Sequence, residues 1–208
     1  MKLYHAHIYP MDLEPIENGW VSIQDGRITE LGQGEIVPGP EDRDLAGGML
    51  LPGFVDAHTH LGIIENGIGF EGDDCNEASD PFTPQLRAID GINPMDRCFA
   101  EARRRGITAV LSSPGSANAC GGQIAAIKTV GRRIDSMLIR TAGVKFALGE
   151  NPKSVYNDRD ETPITRMATA ALIREGLAAA RRYRSDLAAH EADPENLDAP
   201  EFDAKHEA

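Results

Sequence analysis

The chain has 208 residues, 41% of them hydrophobic, and a formal net charge of −12, enough apolar content to bury one sizeable core and a small second unit. That charge argues against nucleic acid and anionic membranes as partners, since both are bound largely through Lys and Arg, and favours a small-molecule substrate. Cys75, Cys98 and Cys120 lie far apart with no CxxC pair, which argues against a disulfide framework or a cysteine zinc site.

The first residues, MKLYHAHIYPM, lack a basic start followed by an apolar run, and no stretch approaches the ~18 apolar residues of a membrane span. A cytoplasmic protein is expected. Residues 19–32, GWVSIQDGRITELG, alternate apolar and polar residues around Asp25-Gly26, the strongest short-range hairpin signal. Residues 1–50 therefore read as a small, sandwich-like β unit.

A short apolar run, 48–58 (GMLLPGFVDAH), reads as a buried strand opening onto a site. After a Gly-rich acidic loop comes a helix near 94–105, with Met95, Cys98, Phe99 and Ala102 on one face and Arg103, Arg104 and Arg105 at its end. Gly106 stops it. Residues 107–111 form a second buried strand, a Gly-rich loop and short helix follow, and 141–149 offer another strand. Strands alternating with helices imply parallel pairing and an α/β fold over 51–190. A final Ala-rich helix from Thr165 to about His190 carries Met167, Ala171, Leu172 and Leu177 on its apolar stripe. Residues 191–208, rich in acids and with two prolines, read as a solvated acidic tail or linker. From Asp186 onward eight Asp or Glu stand against one Lys, which supplies −7 of the −12.

His58-Thr59-His60 puts two imidazoles at i and i+2, on one side of a strand with Cα atoms about 6–7 Å apart. One ion can bridge that gap, and a bound divalent metal can lower the pKa of water to about 7. The pair sits where an apolar strand runs out into a loop, which is where α/β barrels build active sites. Asp56, two residues earlier, is a candidate to orient a ligand through a hydrogen bond. Two histidines satisfied by backbone partners would give the same pattern. His5 and His7 share the spacing, but they lie in the first strand of the β unit, remote in sequence from other polar ligands. The loop 114–123 has the glycines of a phosphate cradle without the Gly-Lys-Ser/Thr ending, and reads as a substrate-side loop. The basic run 181–184 reads as a solvated helix face.

The passage 48–62, GMLLPGFVDAHTHLG, resembles the signature of the amidohydrolase superfamily, the group holding imidazolonepropionase, dihydroorotase and urease-type enzymes. The hairpin GWVSIQDGRITELG resembles the β unit that precedes the barrel in many members. Stretches such as SPGSANACGGQIAAIKT and KFALGENPK are similar to an imidazolonepropionase-like branch, so the resemblance covers roughly residues 1–190. It implies a (β/α)8 barrel with one or two divalent metals, most plausibly zinc, and a water that attacks a cyclic amide or other non-peptide C–N bond. His58 and His60 match the first two ligands. Lys145, as a carbamylated bridge, or Glu150, as a carboxylate, is the candidate third or bridging ligand. On an unbroken strand those two would point to opposite faces.

The family also places histidines on strands 5 and 6 and a proton-transferring aspartate on strand 8. Here the only histidines after His60 are His190 and His206, neither at a strand end. A full barrel takes ~250 residues, whereas about four strand-helix pairs are counted here. The expectation is the first half of a TIM barrel without its catalytic aspartate, forming a homo-oligomer or associating with a missing C-terminal half. The rival readings are a non-catalytic half-barrel scaffold or interaction subunit, and an amidohydrolase acting as a peptidase.

Overall fold

The computed structural model describes residues 1–208, which divide into two compact units, Met1–Gly53 and Phe54–Ala208. In the first, β1 (Lys2–Ile8), β2 (Ile16–Gln24), β3 (Arg27–Gln33), β4 (Arg43–Asp44) and β5 (Met49–Leu50) form one five-stranded sheet. The order is β3-β2-β1-β4, with β5 also paired to β1. The β2–β3 hairpin pairs Gln24 with Arg27 around Asp25 and Gly26. Their φ values of 51° and 72° have the handedness of the primed turns that match strand twist. Ala6, Ile8 and Val21 form the small core of this unit, flanked by Ile16, Ile23, Leu45 and Leu50.

The second unit is built on β6 (Phe54–Thr59), β7 (Ile107–Ser112), β8 (Cys120–Lys128) and β9 (Leu138–Phe146) in sequential order. Short α1 (Ala88–Gly91) and α2 (Arg97–Arg104) lie between β6 and β7, and α3 (Ile134–Met137) lies between β8 and β9. Then come α4 (Glu150–Asn157), α5 (Arg166–Ala192) and α6 (Ala204–Glu207). Asp96 caps α2 by accepting from the Cys98 amide at 2.8 Å. Gly106, at φ 82°, turns the chain into β7 in a conformation that side chains disfavour. Ile63, Phe99, Val110, Ile127 and Met137 fill the core between the sheet and these helices.

This sheet corrects the expectation of all-parallel pairing. Only β6 and β7 are parallel; β7–β8 and β8–β9 are antiparallel. The connections 113–119 and 129–137 are shorter than the dozen or so residues a parallel crossover needs, so the chain must double back. The stretch 120–128, read as loop and short helix, is a strand whose small, apolar residues are buried along most of its length.

The stretch 191–208 also differs from a free tail. It returns to the body through α6, where the Lys205 ammonium pairs with Asp80 and the His206 ring lies 6.3 Å from that of Tyr183 on α5. Asp203 caps α6 by accepting from the Lys205 amide at 2.8 Å. Two ring and cation anchors hold a segment that its acidity alone would leave in water. No helix is long and apolar enough to cross a membrane.

Candidate functional site

The end of β6 is stitched to the end of β7 by both backbone and side chains. Ser113 donates its amide to the Thr59 carbonyl at 2.9 Å, and Thr59 Oγ1 donates to the Leu111 carbonyl at 3.2 Å. Ser112 Oγ donates to the Leu61 carbonyl at 2.8 Å. Beyond the strand, Ile63 and Ile64 donate to the His60 carbonyl, which closes a tight turn at Gly62. A Cβ there would meet Ile92 at 2.9 Å and Phe99 at 3.0 Å, and φ is 84°, so glycine is required.

On this fixed strand end the His58 and His60 rings lie 5.7 Å apart, centre to centre, at 74°. An ion about 2.0–2.1 Å from a nitrogen of each ring requires centres no more than about 6 Å apart, so the spacing fits one shared ion. His60 Nδ1 donates to the Ser113 carbonyl at 2.7 Å. A carbonyl can only accept, so in the neutral ring Nδ1 carries the proton and Nε2 keeps its lone pair, the arrangement that hydrogen-bonding partners impose on metal-binding histidines. His58 is exposed and its ring makes no hydrogen bond. Asp56 Oδ1 accepts from the His58 backbone amide at 3.2 Å, so it fixes the backbone and not the ring.

The sheet register puts Lys145 at this same end. Thr59 pairs with Ser112, Ser112 with Ala125, and β8 and β9 run on to the Gly122–Lys145 and Cys120–Phe146 pairs. Lys145 is three strands from β6, roughly 14 Å across a flat sheet. It is half-buried and shares a hollow of about 350 Å³ with Ser116, Glu150 and Asn151. The face argument for Lys145 and Glu150 fails because β9 ends at Phe146 and Glu150 opens α4; helix geometry replaces strand alternation, and both reach one hollow. No group of three or more His, Cys, Asp and Glu side chains is gathered for a metal. The donor set present therefore fits two ligands of an ion and leaves the others to be supplied.

Other polar groups at this end serve the fold. Gly115 donates to the Cys75 carbonyl at 2.8 Å and Ala117 to Asn76 Oδ1 at 3.0 Å, so these two amides of the Gly-rich loop are spent on the fold. Burial pushes the Cys120 thiol up to about 11 and raises that of Cys75, so both stay protonated near neutral pH and are poor nucleophiles. His5 and His7 are held by acids, His5 between Glu35 at 3.1 Å and Asp44 at 2.9 Å and His7 against Glu17 at 3.1 Å. With both ring nitrogens occupied, His5 has none left for an ion. His190 Nδ1 contacts the Leu197 carbonyl at 2.6 Å and His206 contacts Asp203 at 3.1 Å. Sequence reasoning missed Ser113, whose contribution is a main-chain carbonyl and leaves no residue signature.

No protein-family model matches the chain. Among solved structures, an amidohydrolase from Thermotoga maritima superposes on 99% of this chain with a TM-score of 0.89 and 39% identity, and the chain covers 53% of that protein. An amidohydrolase (tasK) of Hapsidospora irregularis is 40% identical over 144 residues, 62% of this chain and 15% of that protein. Imidazolonepropionase of Thermoplasma acidophilum is 42% identical over 55 residues, 26% of this chain and 13% of that enzyme. The chain is thus related along nearly its whole length to a protein named amidohydrolase, and spans about half of it.

Proposed function

We infer from this relationship that the chain is the N-terminal half of a metal-dependent amidohydrolase whose ion is held by His58 and His60. The reaction is hydrolysis of a cyclic amide or another non-peptide C–N bond in a small molecule. One observation carries the reading: two imidazoles 5.7 Å apart at a strand end, with His60 Nε2 left open by its Ser113 partner. The relationship to an amidohydrolase at 39% identity supplies the context.

A bound divalent ion, zinc by the imidazole donors and one or two in number, supplies a water acidic enough to act as nucleophile near neutral pH. The residues of this chain position that ion. His60 is locked in one tautomer by Ser113, His58 is set by the backbone hydrogen bond to Asp56, and Lys145 and Glu150 are the candidates for a further or bridging ligand. In this reading β6 and β7 are the first two parallel strands of the barrel, and the remaining ligands and the proton-transferring aspartate come from a C-terminal half.

The second reading is a non-catalytic half-barrel scaffold or interaction subunit. It is favoured by the lack of a third His, Cys, Asp or Glu beside the pair. A peptidase activity is the third reading, and substrate panels separate it from the first. The test joins this chain to the region of the Thermotoga maritima amidohydrolase that it does not cover, then assays cyclic amides, N-acyl amino acids and dipeptides with and without chelator. Chelator-sensitive turnover that falls about a hundredfold or more in His58→Ala and in His60→Ala is expected. A folded, metal-loaded fusion that is inert on every substrate favours the scaffold.

A further inference from the structure

The end of the sheet opposite the His58–His60 pair is basic. There α2 finishes in Arg103 and Arg104, capped by Arg105 just before β7, and Thr129 folds the end of β8 against them. Its amide donates to the Thr108 carbonyl at 3.0 Å, its hydroxyl donates to the Ile107 carbonyl at 2.9 Å, and Arg103 donates to its carbonyl. Lys128 pairs with Ala109, and Arg132 and Arg133 follow. All are exposed. Acids offset little of this charge: Glu101 pairs with Arg97 and Asp135 with Arg133. Arg104, Arg105, Lys128 and Arg132 make no ion pair.

The chain also carries the complement. Glu191, Asp193, Glu195, Asp198 and Glu201 are exposed and likewise make no ion pair. The segment's C-terminal anchor, Lys205 on Asp80, lies beside Phe82, which bridges to Cys120. Cys120 and Lys128 are opposite ends of β8, separated by about 27 Å.

We propose that this basic end is a docking surface for an acidic peptide segment, and that its occupant is the 186–203 stretch of a second copy of the chain. The net charge of −12 favours this over nucleic acid or an anionic membrane, which the rest of the surface repels. Patch and segment are different surfaces, so the contact is head-to-tail and propagates into rings or open chains. The inference is independent of the hydrolase reading.

Sedimentation velocity of the full chain at about 20 mM and about 300 mM NaCl tests it, because exposed charges are largely screened at the higher salt. Concentration-dependent association at low salt, weakened about tenfold or more at high salt, is expected. The triple variant Arg104→Glu, Arg105→Glu, Arg132→Glu and the tail variant Glu191→Gln, Asp193→Asn, Glu195→Gln, Asp198→Asn should each stay monomeric. Combining the Arg-to-Glu changes with Glu191→Lys, Asp193→Lys, Glu195→Lys and Asp198→Lys should restore association. Circular dichroism checks each fold, and if the arginine variant unfolds, the tail variant decides alone. A wild-type monomer at low salt, association indifferent to salt, or association that survives the tail changes overturns the proposal. So does binding of duplex DNA or phosphatidylserine vesicles by a chain that does not self-associate.

Discussion

His60 Nδ1 donates to the Ser113 carbonyl at 2.7 Å, so the ring at the end of β6 is held by the main chain that follows β7. The bond fixes the tautomer, because the carbonyl has no proton to give. Nitrogen-15 NMR of the neutral ring should find His60 protonated at Nδ1 and bare at Nε2. Zinc titrated into the intact chain should shift Nε2 of His60, with affinity falling about tenfold or more in His58→Ala. An Nε2-protonated ring, or zinc affinity untouched by losing His58, contradicts the assignment.

The first unit should be most stable in mildly acidic solution. His5 is raised from 6.5 by hydrogen bonds with Glu35 and then Asp44, so its contribution is complete below that value and is lost as pH rises through the higher folded value. Glu35 is lowered from 4.5 by His5 and then Asn18. Asp42 is lowered from 3.8 by the Gly39 and Lys2 amides, and Asp44 by the Ala46 amide and then His5. Contributions from these acids are complete above the ordinary values and lost as pH falls. Trp20, the single tryptophan, lies in β2 and reports this unit. Its fluorescence melt should fall from about pH 5.5 to about pH 8.5, and His5→Gln should flatten that fall.

What the sequence revealed and concealed follows from where each signal resides. The Asp25-Gly26 turn was legible because two positive φ values demand those residue types. The His58–His60 pair was legible because strand spacing dictates which side chains meet. β8 was not legible: Gly121, Gly122, Ala125 and Ala126 carry neither bulk nor alternation, and the strand exists because short connections fold it back between β7 and β9. Nor was the shared hollow of Lys145 and Glu150 legible, since it depends on where β9 stops. The docking of the acidic C-terminal stretch rests on a few specific contacts, among them those of Lys205 and His206, which composition averages away.

Gly122 marks a place where β8 and the loop before α1 are in near contact. Its φ is 115°, and a Cβ would lie 2.5 Å from the Leu86 carbonyl oxygen, which accepts from the Gln123 amide at 2.7 Å. The obstacle is backbone and cannot rotate away. Gly122→Ala should therefore cost more than about 1 kcal/mol in denaturant unfolding, whereas Gly143→Ala, with open space around it, should change little.

Tyr156 anchors α4 through a buried chain of polar groups. The side chain is fully buried and its hydroxyl donates to Asn118 Oδ1 at 2.8 Å. Asn118 Nδ2 donates to the Glu77 carbonyl at 2.6 Å and to Thr83 Oγ1 at 3.1 Å, and Thr83 Oγ1 donates to the Cys120 carbonyl at 3.1 Å. Removing one hydroxyl leaves Asn118 Oδ1 without its donor in a site closed to water. Tyr156→Phe should thus destabilise the chain by about 1–3 kcal/mol, and Tyr156→Ala by more, because it also opens a cavity. Burial, then the charge of Asp80, pushes the phenol up to about 12 from 10. Its neutral form is favoured by folding, so the stability it confers is complete below pH 10 and declines as pH rises toward 12. Phenolate absorbance should show Tyr156 ionising near the top of that range, together with unfolding, and the alkaline loss of stability should be shallower in Tyr156→Phe. Ionisation of Tyr156 near 10 in a chain that stays folded would mean that the phenol is reached by water and that the hydrogen-bonded chain through Asn118 is not closed.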